Sequence, residues 1–230
     1  MRISMTVFLV ALCAAPLQGA LIVYSNSDIA NSRDPRPNSD ATAASFDAAA
    51  GGLGPVSLID FESSTVGPFN NYVVAPGITI NGTDIFSNPQ EVRNTPYGTP
   101  DGLFGYNTTV AGSQFVEMVA GNLTFSFSTP IQSFGAYISG LQLGFNEITF
   151  FDGSNQTIPL PLPSATNGGV AFVGFTDAGQ QISAVTISAL GDLIGVDDVR
   201  TGLVPEPSTS VLALIALAGL VAVGRRRKRS

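Results

Sequence analysis

Four acidic side chains in two clusters could carry chemistry. Asp60 and Glu62 lie two residues apart in the segment Ile-Asp-Phe-Glu-Ser, and Asp197 and Asp198 are adjacent much later in the chain. Residues i and i+2 of a strand point to the same side of a sheet, so Asp60 and Glu62 are expected to share a face. If the first and last strands pair, all four carboxylates meet, and their mutual repulsion then calls for a cation. Calcium, which binds through oxygen ligands, is the expected ion.

Two other uses of these carboxylates stay open at this point. Asp197 or Asp198 could accept hydrogen bonds from backbone amides in a turn, as aspartate often does. Alternatively, a pair of the acids could serve as the two carboxylates of a glycoside hydrolase or lyase. No glycosidase motif accompanies them in the sequence.

The composition excludes several kinds of catalytic site. The chain contains neither His nor Trp, and its one cysteine is Cys13. Without His, a Ser-His-Asp triad or a His-ligated zinc site cannot form. Any bound metal must be held by oxygen, which again favours calcium. We therefore expect a protein that is not an enzyme.

The charge of the chain excludes nucleic acid as a partner. Residues 21–204 contain sixteen acidic residues against four arginines, a net charge of −12. Such a surface repels the phosphate backbone of DNA or RNA.

Apolar and polar residues alternate in several short segments. The clearest is Leu-Thr-Phe-Ser-Phe-Ser at 123–128, a period of two that is typical of a half-buried strand. Similar strands are predicted at 133–138, 147–151, 170–175, 184–188 and 193–199. Turns are predicted at Asn81-Gly82, Asp101-Gly102 and Asp152-Gly153. Eight to ten such strands indicate a mainly β protein, an antiparallel β-sandwich of the jelly-roll type.

One short helix is expected before the strands. The Ala-rich run from Asp40 to Ala50 has Asp40 as its candidate N-cap and ends before Gly51-Gly52. Residues 25–38 are polar, contain Pro35 and Pro37, and are expected to form an exposed loop. A later Gly-rich segment, 98–109, either lines a ligand site or is an ordinary long loop.

Both ends of the chain have the features of targeting segments. At the N-terminus, Arg2, an apolar run over 6–15 and the small residues Gly19 and Ala20 predict a Sec-type signal peptide. At the C-terminus, residues 208–224 carry no charge and are mainly Leu, Ala, Val and Ile, which predicts a transmembrane helix. The basic tail that follows, residues 225–230, is expected to stay cytoplasmic. Its cations are Arg225, Arg226, Arg227, Lys228 and Arg229.

The C-terminal segment resembles the PEP-CTERM sorting signal of Gram-negative bacteria, also known as the ice-binding-protein C-terminal domain. The resemblance is carried by Pro205-Glu206-Pro207, the apolar run and the basic tail, in that order. It implies exosortase, a membrane protease-transpeptidase, as a partner besides the Sec machinery. It also implies a stay in the inner membrane before transfer to the cell surface or extracellular matrix.

The two acidic clusters resemble those of extracellular jelly rolls, namely MAM-like and carbohydrate-binding-module-like domains. The matching tripeptides are Asp60-Phe61-Glu62 and Asp197-Asp198-Val199. The resemblance implies a cation shared between the two tripeptides. The cysteines of MAM-type domains are absent here.

These observations predict a domain organisation and a function. Residues 1–20 form the signal peptide, 21–55 a loop and short helix, 56–203 the β-sandwich and 204–230 the sorting signal. The expected function is that of an exported, exosortase-sorted surface or matrix protein. Its non-catalytic β-sandwich would bind exopolysaccharide or mediate adhesion, and the alternative is a carboxylate-based glycoside hydrolase or lyase.

Overall fold

A computed structural model describes residues 19–30, 34–95, 105–163 and 168–204. These residues form one helix and eleven strands. In chain order they are β1 (Ile22–Asp28), α1 (Pro37–Leu53), β2 (Val56–Ile59), β3 (Gly67–Pro68), β4 (Tyr72–Ala75), β5 (Ile78–Asp84), β6 (Glu91–Asn94), β7 (Gln114–Ser139), β8 (Glu147–Phe151), β9 (Asn155–Pro159), β10 (Val170–Thr176) and β11 (Ile182–Leu203). The predicted class, mainly β and antiparallel with one helix, is confirmed.

Two long strands connect the whole fold. β7 has 26 residues and β11 has 22, so each contains two of the shorter predicted strands. They pair along two separate stretches, from Val185↔Phe125 to Val196↔Val116 and from Gly195↔Ser139 to Gly202↔Ser133. In both stretches the residue number falls on β7 as it rises on β11, which is antiparallel pairing. Each strand therefore runs through both layers of the sandwich.

We name the two layers after a feature on the outer face of each: a surface groove, described below, and helix α1. The groove layer contains β5, residues 121–127 of β7, residues 184–189 of β11, β8 and β9. The helix layer contains β1, β10, residues 131–139 of β7, residues 195–203 of β11, and β2. β4 lies at the edge of the groove layer, while β6 and β3 extend from the start of β7.

Aromatic side chains fill the space between the layers. Phe125 of the groove layer contacts Phe134 of the helix layer with ring centroids 5.3 Å apart. Phe150 of β8 stacks on Phe175 of β10 at 3.9 Å. All four rings are buried in the main hydrophobic core. The alternating segment 123–128 thus places its apolar residues inward, as the sequence predicts.

Helix α1 covers the outer face of the helix layer. Its buried residues Ala43, Phe46 and Ala50 follow the three- and four-residue spacing of one helical stripe. The ring of Phe46 packs against Tyr24 of β1 and Phe172 of β10, with centroids 5.7 and 5.5 Å away. Residues 21–55, expected as a loop and short helix, therefore pack onto the sandwich.

The predicted helix boundaries and N-cap are wrong. The helix starts at Pro37, whose missing N–H costs nothing at a first helical position, and it continues through Gly51 and Gly52 to Leu53. The first-turn amides of Asn38 and Ser39 donate instead to the carboxylate of Asp28, at 3.1 and 2.7 Å. The carboxylate of Asp28, on the preceding strand, thus takes the place of the expected N-cap Asp40. The composition of the helical segment does not indicate this contact.

Two other local predictions are corrected. Residues 22–28 form β1, whereas the sequence predicts a loop from residue 25. An edge strand pairs through its backbone, so it tolerates a polar segment such as Ser-Asn-Ser.

The predicted turn at Asn81-Gly82 is absent, because both residues lie inside β5. A Cβ at Gly82 would lie 2.5 Å from the carbonyl oxygen of Asn122, so this glycine permits close strand approach. The Asp152-Gly153 hairpin between β8 and β9 is confirmed, and Asp101-Gly102 lies outside the described residues.

The described ends of the chain lie at the same end of the sandwich. Gly19 donates its amide to Ala178 at 2.8 Å, and Val204 donates to Pro130 at 3.3 Å. Gln132 bridges these places, since its carbonyl accepts from Asp177 and its side chain donates to Leu203. Within the described residues no helix has the length and apolarity to cross a membrane, and the predicted span at 208–224 lies beyond them.

We predict that Phe125→Ala destabilises the fold by about 3–5 kcal/mol, because it empties a fully buried site between the layers. Ser126→Ala, on the exposed face of the same strand, is the matched control and should change stability by less than about 0.5 kcal/mol. Denaturant unfolding of the full-length chain in neutral detergent measures both. Equal effects of the two changes would contradict the assigned orientation of β7.

Candidate functional site

A bulge in β11 places two adjacent carboxylates on one side of the strand. Asp197 pairs with Tyr137 and Arg200 with Gly135, so one residue is extra on β11. Asp198 adopts a positive φ of 47°, which aspartate tolerates better than most residues. Its amide donates to the Asp197 carboxylate at 2.8 Å. Neighbouring strand residues normally point to opposite faces, and the bulge removes that alternation.

Both carboxylates bind one loop, residues 105–113, here called the threonine loop. The backbone amides of Thr108 and Thr109 donate to Asp197 Oδ2 at 2.6 and 3.1 Å. The hydroxyl of Thr109 lies 2.9 Å from Asp198 Oδ1, and that of Thr108 lies 3.0 Å from Asp198 Oδ2. The acids therefore hold the backbone of the loop in place.

The other predicted cluster binds the far end of the same loop. Glu62 Oε1 accepts from the Ser113 amide at 2.8 Å, the Gln114 amide at 2.9 Å and the Asn107 side chain at 2.8 Å. Asp60 accepts from the Glu62 amide at 3.1 Å, which turns the chain just after β2 ends. Asp60 and Glu62 are thus not on the first strand, contrary to the prediction.

The structure brings Glu62, Asp197 and Asp198 to one loop. Among the described residues, no group of three or more acids is placed to hold a metal ion. The oxygens that calcium would use accept hydrogen bonds from amides and hydroxyls instead. The arrangement matches the alternative in which these aspartates bind turn amides, because their oxygens accept hydrogen bonds from Thr108 and Thr109. The sorting-motif residues Pro205, Glu206 and Pro207 lie outside the described residues.

Burial changes the ionisation of one of these acids. Its complete burial and the neighbouring Asp198 raise the pKa of Asp197 to about 7, and the amides of Thr108 and Thr109 only partly oppose the rise. Asp177, at the far end of the sandwich, behaves similarly, since burial and Asp152 raise its pKa to about 6.

A groove of about 330 Å³ opens elsewhere, on the outer face of the groove layer. Its lining residues are all uncharged: Thr149, Phe150, Phe151, Asn155, Gln156, Thr157, Ser183, Ala184 and Thr186. Phe151 stands there with 60% of its surface exposed, among hydroxyl and amide groups. An apolar ring beside several hydrogen-bonding groups can contact a ligand through both kinds of surface.

Sequence patterns did not predict this groove, although one signal for it was present. The outward residues Thr149, Phe151 and Thr157 alternate with the buried Ile148, Phe150 and Ile158. Alternation predicts which residues face solvent, but the groove exists only because β8, β9 and β11 lie side by side.

Comparison with known families identifies the C-terminal segment. Residues 203–228 match the family model of the PEP-CTERM protein-sorting motif. This chain carries a PEP-CTERM sorting motif. The match confirms the resemblance of the sequence, and the motif implies export with membrane-anchored sorting before display at the cell surface. No curated protein matches the chain.

Several solved structures resemble the chain at low overall similarity. The catalytic domain of a GH87 α-1,3-glucanase in complex with nigerose aligns with a TM-score of 0.36 and 13% identity, covering 67% of this chain and 29% of the glucanase chain. TmCBM61 in complex with β-1,4-galactotriose aligns with a TM-score of 0.32 and 9% identity, covering 63% and 94%. This chain thus spans under a third of the glucanase chain.

We predict that Asp197→Asn removes a pH dependence of stability. The unfolded chain releases this proton near its ordinary pKa of 3.8, whereas the folded chain keeps it up to about pH 7. The folded state then binds more protons in that window, so wild-type stability falls relative to the variant as the pH rises from about 4 to about 7. Thermal unfolding of both full-length chains across this range measures the difference. A difference that stays constant with pH would show that Asp197 ionises normally; Asp177 is present in both chains and cancels.

Proposed function

We propose that exosortase processes this chain during export to the cell surface or extracellular matrix of a Gram-negative bacterium. The matched sorting motif at residues 203–228 supports this, together with the signal peptide predicted at 1–20. Since Gly19 and Val204 lie at one end of the sandwich, a chain held in the membrane by its C-terminus would present the opposite end outward.

We further propose that the β-sandwich binds extracellular polysaccharide without modifying it. The groove on the outer face supports this proposal. In it, the exposed ring of Phe151 lies among uncharged hydroxyl and amide side chains. A sugar ring has C–H groups on its face and hydroxyls around its edge, so it complements such a surface. A protein that holds matrix polysaccharide in this way would also mediate adhesion.

The placement of the acids favours binding over hydrolysis. A glycoside hydrolase needs two carboxyl groups that flank the scissile bond. The groove lining contains no carboxylate, and Glu62, Asp197 and Asp198 are occupied with the threonine loop. The hydrolase alternative thus has no supporting pair among these residues.

We predict that Pro207→Ala impairs C-terminal processing more than the conservative change Leu212→Ile. The reason is that prolines disfavour a helix on both sides of Glu206, and we propose that exosortase recognises this proline-flanked glutamate. Mass spectrometry of the surface protein should find wild-type chains lacking residues 225–230 and variant chains that retain them. Retention of these residues in every wild-type molecule would refute processing.

We predict that Phe151→Ala abolishes retention of the chain by polysaccharide in affinity gel electrophoresis, because it removes the apolar surface of the groove. Phe145→Ala is the matched control, since Phe145 is 72% exposed and does not line the groove. The control should migrate like wild type. Equal losses in both variants, or none in either, would contradict a ligand at the groove.

A further inference from the structure

The groove is one end of a longer row of polar side chains that crosses five strands in register. Asn81 of β5 pairs with Thr124 of β7, and Thr124 pairs with Thr186 of β11. Thr186 in turn pairs with Thr149 of β8, which pairs with Thr157 of β9. Directly paired residues point to the same face of a sheet, so these five side chains form a continuous line.

The row is flanked by similar residues on both sides. Thr79, Ser126 and Ala184 lie in register on one side, together with Phe151 and Asn155 of the β8–β9 hairpin. Thr83, Asn122, Ser188, Glu147 and Pro159 lie in register on the other. Glu147 is the one charged residue among these outward positions.

Hydrogen bonds between strands fix the orientation of some of these groups. The hydroxyls of Thr124 and Thr186 lie 2.9 Å apart, and the Ser188 hydroxyl donates to Asn122 at 2.9 Å. A threonine hydroxyl has one donor hydrogen and two acceptor lone pairs, so a pair that shares one bond keeps further capacity toward a ligand. The side chains are therefore partly preorganised, which lowers the entropic cost of binding.

We propose that this row binds an uncharged polysaccharide chain that lies across the strands, from β9 to β5. The inference rests on the proposed function and extends it from the groove to the whole face. Strands are spaced about 4.8 Å apart, so the row measures about 19 Å from Asn81 to Thr157. That length accommodates several linked sugar rings, with Phe151 packing against one of them at the β8–β9 end.

Charge determines which class of polysaccharide fits. The described outward positions of this face include no cation to pair with a uronate, sulfate or phosphate group, and Glu147 would repel one. The chain as a whole carries a formal net charge of −7, which adds to that repulsion. A neutral glycan offers only hydroxyl and ether oxygens, and these match the threonine and asparagine groups of the row.

The test uses the full-length chain in neutral detergent and affinity gels that contain dextran, galactan or glucomannan, each with its carboxymethylated derivative. We expect retention by at least one neutral polymer and weaker retention by its charged derivative. Thr124→Val removes a hydroxyl outside the groove lining and should weaken binding about two- to tenfold, the value of one net hydrogen bond. Asn81→Ala, at an exposed position, should act in the same direction. Thr65→Val, at an exposed loop position outside the row and its flanking positions, is the matched control and should bind like wild type.

The outcomes separate this inference from the proposed function. If Phe151→Ala abolishes binding while Thr124→Val and Asn81→Ala bind like Thr65→Val, the row is wrong and the groove stands. Stronger retention by a carboxymethylated polymer overturns the uncharged ligand class. If wild type is retained by none of these polymers, the inference and the proposed function both fail. Melting temperatures of the variants show that a loss of binding is not a loss of fold.

Discussion

The antiparallel pairing of β7 with β11 is the constraint on which the rest of this structure depends. These strands cross both layers, so their register fixes how the groove layer and the helix layer face each other. The same register aligns Thr124 with Thr186 and so sets the polar row on the outer face. Inside, β7 itself passes from one layer to the other and brings its residues Phe125 and Phe134 into contact. A slip of one residue would turn every one of these side chains to the opposite face.

Buried carboxylates accept hydrogen bonds from backbone amides and so stabilise several connections in this acidic chain. Asp28 binds the first-turn amides of α1, Asp197 binds the threonine loop, and Asp192 accepts from the amides of Gln142 and Leu143. A carboxylate that accepts several amide hydrogen bonds stabilises a connection that lacks regular structure of its own. This use accounts for acids that look like metal ligands in the sequence, whereas no group of three or more among the described residues is placed to hold a metal ion.

Sequence patterns within short segments predicted individual strands, the faces of their residues and one hairpin. The alternation at 123–128 and the Asp152-Gly153 turn were sufficient for strands, faces and a hairpin. β1 escaped prediction because its pairing with β10 is made by backbone groups, and the start of α1 escaped because its cap, Asp28, lies outside the helix. The bulge at Asp198 and the polar row depend on which distant strands become neighbours. No pattern within a single segment determines the bulge or the row, so one sequence read by itself does not predict them.

Methyl NMR tests most directly whether the outer face of the groove layer is the ligand-binding surface. The full-length chain, labelled on its threonine methyl groups, would be titrated with whichever neutral polysaccharide the affinity gels retain. Ligand binding at this face predicts shifts at Thr124, Thr149 and Thr186, with Thr108 and Thr109 of the threonine loop unchanged. Shifts confined to the threonine loop, with the row unperturbed, would contradict it.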